Sequence, residues 1–216
     1  MMHIFNIRPP ILPEHPDARD LTMFVPSEHL ESIMVVDCKM AGVVARALSI
    51  DGVVFENGEI SSSKLRKSTL ADVEFQNCLL FGTDFDGSGW LRVTFTGGMS
   101  SGLVVTDSTV QDVRFTSTKL NLANFRMSRL KRVIFSNCDL SDADFQGTVM
   151  RNVIFKNCDL TGAEFSGSIS EGVDLRSSNI SMIKGVSSLK GATISIDQMV
   201  GIAHIMAAEL GLDVQD

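Results

Sequence analysis

Apolar side chains recur at every fifth position from Val35 to Ile180. The series opens Val35, Met40, Ala45, Ile50, Phe55 and Ile60, and 28 of its 30 members are apolar, with Ser100 and Ser170 as the exceptions. Composition alone would fill about thirteen of those positions. The residue two before each centre is small and neutral: Cys38, Val43, Leu48, Val53, Gly58, Ser63, and so on to Ser178. The residue two after each centre collects ten of the 17 glycines, together with Asn57, Asn77, Asn137, Asn152 and Asn157. Those residue types tolerate left-handed or tight-turn backbone. A period of five fits neither the 3.6 of a helix nor the alternation of a strand. It describes a short extended segment followed by a corner, repeated without slippage.

A longer period shows how many corners close one turn. Phe recurs at 55, 75, 95, 115, 135 and 155, and FSNCDL from Phe135 returns as FKNCDL from Phe155. The structural repeat is therefore twenty residues, a square coil of four short parallel strands. With stacked strands about 4.8 Å apart, seven and a half coils make a rod of about 36 Å. SDADF at 141–145, TGAEF at 161–165, NLANF at 121–125 and EGVDL at 171–175 carry a further likeness. These segments resemble the A(D/N)LXX motif of the pentapeptide-repeat family, over residues from about 30 to 183. The resemblance implies an all-β solenoid, a right-handed quadrilateral parallel β-helix, here ending in a short C-terminal α-helix.

The ends are organised differently. Residues 1–29 contain Pro9, Pro10, Pro13, Pro16 and Pro26 and fall off the register, as expected of an N-terminal extension that covers the first coil. Residues 30–183 are the coils. Residues 184–216 are expected to form a helical cap, with Ser195 and Gln198 as a capping box and Gly211 as the stop. Ile196, Met199, Val200, Ala203, Met206 and Leu210 form one apolar stripe, and Ile202 and Ile205 add apolar surface beyond it. That surplus nominates Met199, Ile202, Ile205, Met206 and Leu210 for homodimerisation, which the family resemblance also implies.

Charge and chemistry narrow the function. The chain has 19 basic and 26 acidic residues, a net charge of −7, which disfavours direct nucleic-acid binding. No apolar run is long enough to span a membrane and no signal-peptide pattern opens the chain, so a cytoplasmic location is expected. Cys38, Cys78, Cys138 and Cys158 share one inward column and read as small fillers. Cys138 and Cys158 would stack farther apart than a disulfide allows. The histidines all lie off the coils, and no phosphate loop, nucleophile elbow or metal-ligand spacing occurs. The sequence thus nominates no catalytic, cofactor-binding or metal-binding residue, and a non-enzymatic binding protein is expected.

The candidate binding residues are of two kinds. Asp139, Asp142, Asp144, Asp159, Glu164, Glu171 and Asp174 form an acidic band after a basic one at residues 113–132. Leu79, Phe81 and Met99 are apolar at outward positions beside Ser100, whose small side chain should leave a void or kink that Leu103 could refill. The resemblance extends to the Qnr-type and mycobacterial fluoroquinolone-resistance proteins. It implies a rod that mimics duplex DNA and binds DNA gyrase or topoisomerase IV. The alternative is a general protein–protein scaffold without a topoisomerase role.

Overall fold

A computed structural model describes residues 6–14, 17–19 and 29–215. From Leu30 onward the chain winds into a parallel β-solenoid in which each residue pairs with the one twenty positions later, as Phe115 does with Phe135 and Phe135 with Phe155. This is the right-handed quadrilateral β-helix, about seven turns long, with a single C-terminal helix. All the five-residue centres are buried, Ser100 and Ser170 included. The phase read from hydrophobicity is therefore the inside of the rod along its whole length.

The coil has four faces, named here by their centres. The first runs from Met40 to Ile180, the second from Ala45 to Phe165, the third from Ile50 to Ser170 and the fourth from Val35 to Leu175. Strands such as Thr69–Gln76, Gly89–Thr96, Thr109–Thr116, Arg129–Ser136 and Val149–Lys156 cross the third and fourth faces without a break. The first and second faces carry single bridges, such as Asp139 with Asp159 and Asp144 with Glu164, separated by turns. In those turns the N–H three residues after a centre bonds back to the centre's carbonyl, as Ala143 does to Leu140 and Thr148 to Phe145.

Every fifth residue from Ser32 to Gly172 has φ between +50° and +72°, whether or not it is glycine. Leu122, Met127, Arg92 and Arg132 adopt this conformation too, at a cost of about 1–2 kcal/mol each. The coil compels it, because each corner N–H reaches the neighbouring coil: Leu122 bonds to the carbonyl of Ser141 at 2.9 Å and Asn57 to that of Gln76 at 2.9 Å.

The interior is ordered by stacking. Phe55, Phe75, Phe95, Phe115, Phe135 and Phe155 form a column on the fourth face with ring centroids 4.6–5.1 Å apart. Phe125, Phe145 and Phe165 form a second column on the opposite wall at 5.1 Å, and the two columns meet edge to face. The small inward residues serve the backbone as well as the packing. Ser88 and Ser108 receive the N–H of Ser68 and Ser88 at 3.0 Å, and the hydroxyl of Thr148 donates to the carbonyl of Phe125 at 2.8 Å. Gly58 keeps clear of Cys38: a Cβ on it would lie 2.6 Å from that thiol's sulfur.

At Ser100 the rod adjusts rather than simply refilling. Leu103 is fully buried. Trp90, the largest interior side chain, stands on the facing wall of the same coil, edge-on to Phe85 at 5.3 Å. Its Nε1 and the Ser100 hydroxyl have no hydrogen-bond partner among the described residues. Gly98 is left-handed in addition to the corner residue Gly97, and only glycine fits there, since a Cβ would run into the carbonyl oxygen of Cys78. The ladder lengthens at this point, with Lys119 N–H 3.4 Å from the carbonyl of Gly98.

After Met182 the coil gives way to a 3₁₀ turn, Val186–Leu189, and the helix α1, Ile196–Glu209. The Ser195–Gln198 capping box is formed. The Gln198 amide also donates to the carbonyls of Leu175 at 2.7 Å and Ser178 at 2.6 Å, and Glu209 accepts the N–H groups of Val186 at 2.9 Å and Ser187 at 2.8 Å. One contact reverses the sequence reading. Ile202, taken as surplus, is the buried anchor of the helix, with Ile205 and Met206 packed beside it. Ile196, Val200 and Leu210, taken as the core stripe, are exposed. Both stripes are apolar, so periodicity alone did not rank them.

Candidate protein-binding surfaces

The turn-built faces leave one backbone N–H per pentapeptide free of the ladder, that of the residue just after each centre. Where the residue just before the centre is an acid or amide, its side chain can accept that N–H. Asp139 takes the N–H of Ser141 at 3.0 Å, Asp144 that of Gln146 at 2.9 Å, Asp159 that of Thr161 at 3.0 Å and Glu164 that of Ser166 at 2.7 Å. Asn124 and Asn179 do the same for Arg126 and Ser181. This is the physical content of the D/N in the repeat motif, and the sequence reading missed it: these carboxylates support the fold as well as charging the surface. The hydroxyl and N–H of Thr161, with the Asn179 amide, hold Asp159 below the usual carboxylate range.

The register places the acidic candidates unequally. Asp139 and Asp159 stack on the first face, Asp144 and Glu164 stack on the second, and Asp142 stands on the corner between. These five form one acidic edge. Glu171 and Asp174 lie on the third and fourth faces, each held by an arginine: Arg151 at 2.8 Å and Arg176 at 2.6 Å. The basic residues Arg129, Lys131 and Arg151 share the third face, opposite Asp139 and Asp159. The basic band is thus split between faces: Arg129 and Lys131 lie opposite the acidic edge, whereas Lys119 stacks under Asp139 and Arg126 reaches Asp144 at 3.5 Å. Leu79 and Met99 are bridge partners on the first face, with Phe81 two residues along. Phe81 and Met99 are each 41% exposed, so the three make one apolar patch.

The corner diagonal to the acidic edge carries a ladder that was not foreseen. Asp72 binds Arg92 through both carboxylate oxygens at 2.5 Å, and Asp112 binds Arg132 at 2.6 and 2.5 Å. Both carboxylates are buried, because the N-terminal segment lies over them. Arg8 donates its N–H to Asp112, Ile11 donates its own to Asp72 at 2.8 Å, and Pro13 rests beside Gly52. In the extended polyproline II conformation that Pro9 and Pro10 favour, three residues advance about 9.3 Å, close to the ~9.6 Å of two coils. The described N-terminal residues thus divide. Residues 8–13 run along the rod, and Asp17–Arg19 pairs with Ile33–Val35 at its end.

All four cysteines are free and buried. Burial pushes the thiol of Cys38 up to about 12 and that of Cys78 to about 11. The hydrogen bond to Cys138, with burial, raises Cys158 as well. Among the described residues no cluster of three or more His, Cys, Asp or Glu could hold a metal, and no helix is long and apolar enough to cross a membrane. His3 and His15 lie outside the described residues.

The family model for the pentapeptide repeat region matches residues 71–145 and 108–184. No curated protein sequence matches the chain. Among solved structures, HetL, a pentapeptide repeat protein involved in heterocyst differentiation regulation from the cyanobacterium Nostoc sp., is similar at 14% identity and a TM-score of 0.47, over 75% of this chain and 87% of its own. A trypsin-treated form of QnrB1, a plasmid-mediated fluoroquinolone resistance protein, is similar at 21% identity and a TM-score of 0.44, over 93% and 95%. With its repeat phase, its buried centres and its left-handed corners matched by the family model over more than half its length, the chain belongs to the pentapeptide-repeat family.

Proposed function

We propose that this protein is a non-enzymatic, cytoplasmic binding rod whose acidic edge docks the cationic DNA-binding surface of a type II topoisomerase, DNA gyrase or topoisomerase IV. The observation that carries this reading is charge density. Asp139, Asp142, Asp144, Asp159 and Glu164 fall within two coils, about 10 Å of axis, or one carboxylate per about 2 Å. Duplex DNA presents one charge per about 1.7 Å. A groove shaped for phosphates would meet a comparable line of anions here.

The test uses the double role of these side chains. Asp139→Asn, Asp144→Asn, Asp159→Asn and Glu164→Gln keep an acceptor for the backbone N–H and remove the charge. The combined variant is expected to fold and to lose its effect in a gyrase supercoiling assay run with and without a quinolone. The native protein is expected to act at micromolar concentration, with an effect that falls steeply as salt rises. An inert native protein would defeat the topoisomerase reading. The exposed patch of Leu79, Phe81 and Met99 favours a second reading, a scaffold for another protein partner, whose binding would be insensitive to salt and lost on Phe81→Ser with Met99→Ser.

A further inference from the structure

The second face carries charge in an order that complements itself when reversed. Its outward columns stack as Val44, Lys64, Asp84, Val104, Asn124, Asp144, Glu164 and as Arg46, Arg66, Asp86, Thr106, Arg126, Gln146, Ser166. We propose that two copies of this chain pair side by side and antiparallel through this face, on a two-fold axis passing at Val104 and Thr106. Antiparallel rods related by an axis across the face bring each column onto itself. Lys64 of one copy then meets Asp144 of the other, and Asp86 meets Arg126. Asp84 meets Asn124, and Arg46 lies diagonal to Glu164. Val104 meets its own copy at the centre, half-buried already by its neighbours.

The register is singled out by repulsion. A slip of one coil in one direction puts Arg66 on Arg126, and in the other it puts Asp84 on Asp144 while Lys64 meets Glu164, whereas the register centred on Val104 has two kinds of opposite-charge contact and no like-charge one. A parallel arrangement sets the N-terminal cluster of Lys64, Arg66 and Lys67 against itself. Like charges brought together at an interface suppress wrong alignments more than opposite charges add affinity. Among the described residues the face is also free for a partner: residues 8–13 run along the corner between the third and fourth faces, and helix α1 packs on the rod's end. Within each chain Arg66 already leans onto Asp84 at 2.7 Å and Arg126 onto Asp144 at 3.5 Å, so the opposing copy extends ion pairs that exist. Self-pairing covers Asp144 and Glu164 and so competes with any partner on the acidic edge.

Sedimentation of the full chain across protein and salt concentration tests this. Dimers are expected whose dissociation constant rises at least about tenfold between low and high salt. K64E and D144K are each expected to weaken pairing, and an equimolar mixture of the two to restore it, because each mixed pair sets every reversed position against its reversed counterpart. R126E with D86R supplies a second exchange that leaves Asp144 and its turn untouched. A chain monomeric at all concentrations would overturn the proposal. So would a dimer indifferent to these reversals and abolished by Val200→Glu on α1.

Discussion

Ile11 donates its backbone N–H to a carboxylate oxygen of Asp72 at 2.8 Å, across 61 positions of sequence. The same carboxylate holds Arg92 in the next coil. Asp72→Ala therefore strands a mostly buried guanidinium and releases the strap in one step. The expected loss is about 3 kcal/mol, the low end for breaking a buried ion pair. Hydrogen exchange gives the local readout, since Pro9 and Pro10 have no amide: the Ile11 amide is expected to exchange faster in the variant while the amides of the Phe135 strand stay protected. Unchanged exchange at Ile11 would mean that the strap is held by something other than this bond.

The same contacts predict a response to acid. Burial works against ionisation of Asp72 and Asp112, but the Arg92 and Arg132 guanidiniums and the N–H groups of Ile11 and Arg8 outweigh it, and both carboxylates ionise below the ordinary range. Their folded-state pKa lies below the unfolded value of about 3.9. Their stabilisation is then complete above that value and is lost as pH falls through the lower folded one. The melting-temperature gap between the native chain and the Asp72→Asn, Asp112→Asn variant is expected to be constant above about pH 5 and to close below about pH 4. A gap that widened in acid would reverse the sign and refute the assignment.

Burial separates two kinds of phenylalanine. Phe115 is fully buried in the stacked column, whereas Phe81 is 41% exposed on the apolar patch. Phe115→Ala is expected to cost about 3–5 kcal/mol, and Phe81→Ser or Met99→Ser less than about 1 kcal/mol. Denaturant melts measure both. A cost of several kcal/mol at Phe81 would make the patch part of the core rather than a surface for a partner.

The thiols report on the rod as a whole. Cys38, Cys78, Cys138 and Cys158 are at most 3% exposed, and those of Cys38 and Cys78 titrate near 12 and 11. Thiolate is the reactive form, and although the hydrogen bond with Cys158 lowers Cys138, that thiol is as buried as the others, so a thiol reagent at neutral pH is expected to label none of the four in the folded chain and all of them in denaturant. Labelling that tracked the reagent concentration without unfolding would place a cysteine at the surface.

The interior was legible in the sequence because its centres are apolar at a fixed period and two of its columns admit one residue type, Val at 53, 73, 93, 113, 133, 153 and 173 and Phe at 55, 75, 95, 115, 135 and 155. Register followed, and with it the stacking of Asp139 on Asp159. The strap was not legible. Its donors are backbone N–H groups, and its acceptors, Asp72 and Asp112, look like any other corner residue in the repeat. The second role of Asp139, Asp144, Asp159 and Glu164 was hidden for the same reason, since their partners are main-chain groups that every sequence possesses.

Helix α1 was legible as an element but not in its orientation, and that difference yields a contrast of variants. Ile202 is the buried anchor, and Val200 is 71% exposed two residues away. Ile202→Ala is expected to loosen the cap by about 2–5 kcal/mol, with faster exchange of the Ser187 amide that Glu209 accepts at 2.8 Å. Val200→Ser is expected to leave the melt unchanged. If α1 also joins two copies, as its exposed Ile196, Met199, Val200 and Leu210 would allow, Val200→Ser weakens that association without touching the fold. Association that survives Val200→Ser and Val200→Glu while Ile202→Ala unfolds the end of the rod would assign the helix to capping alone.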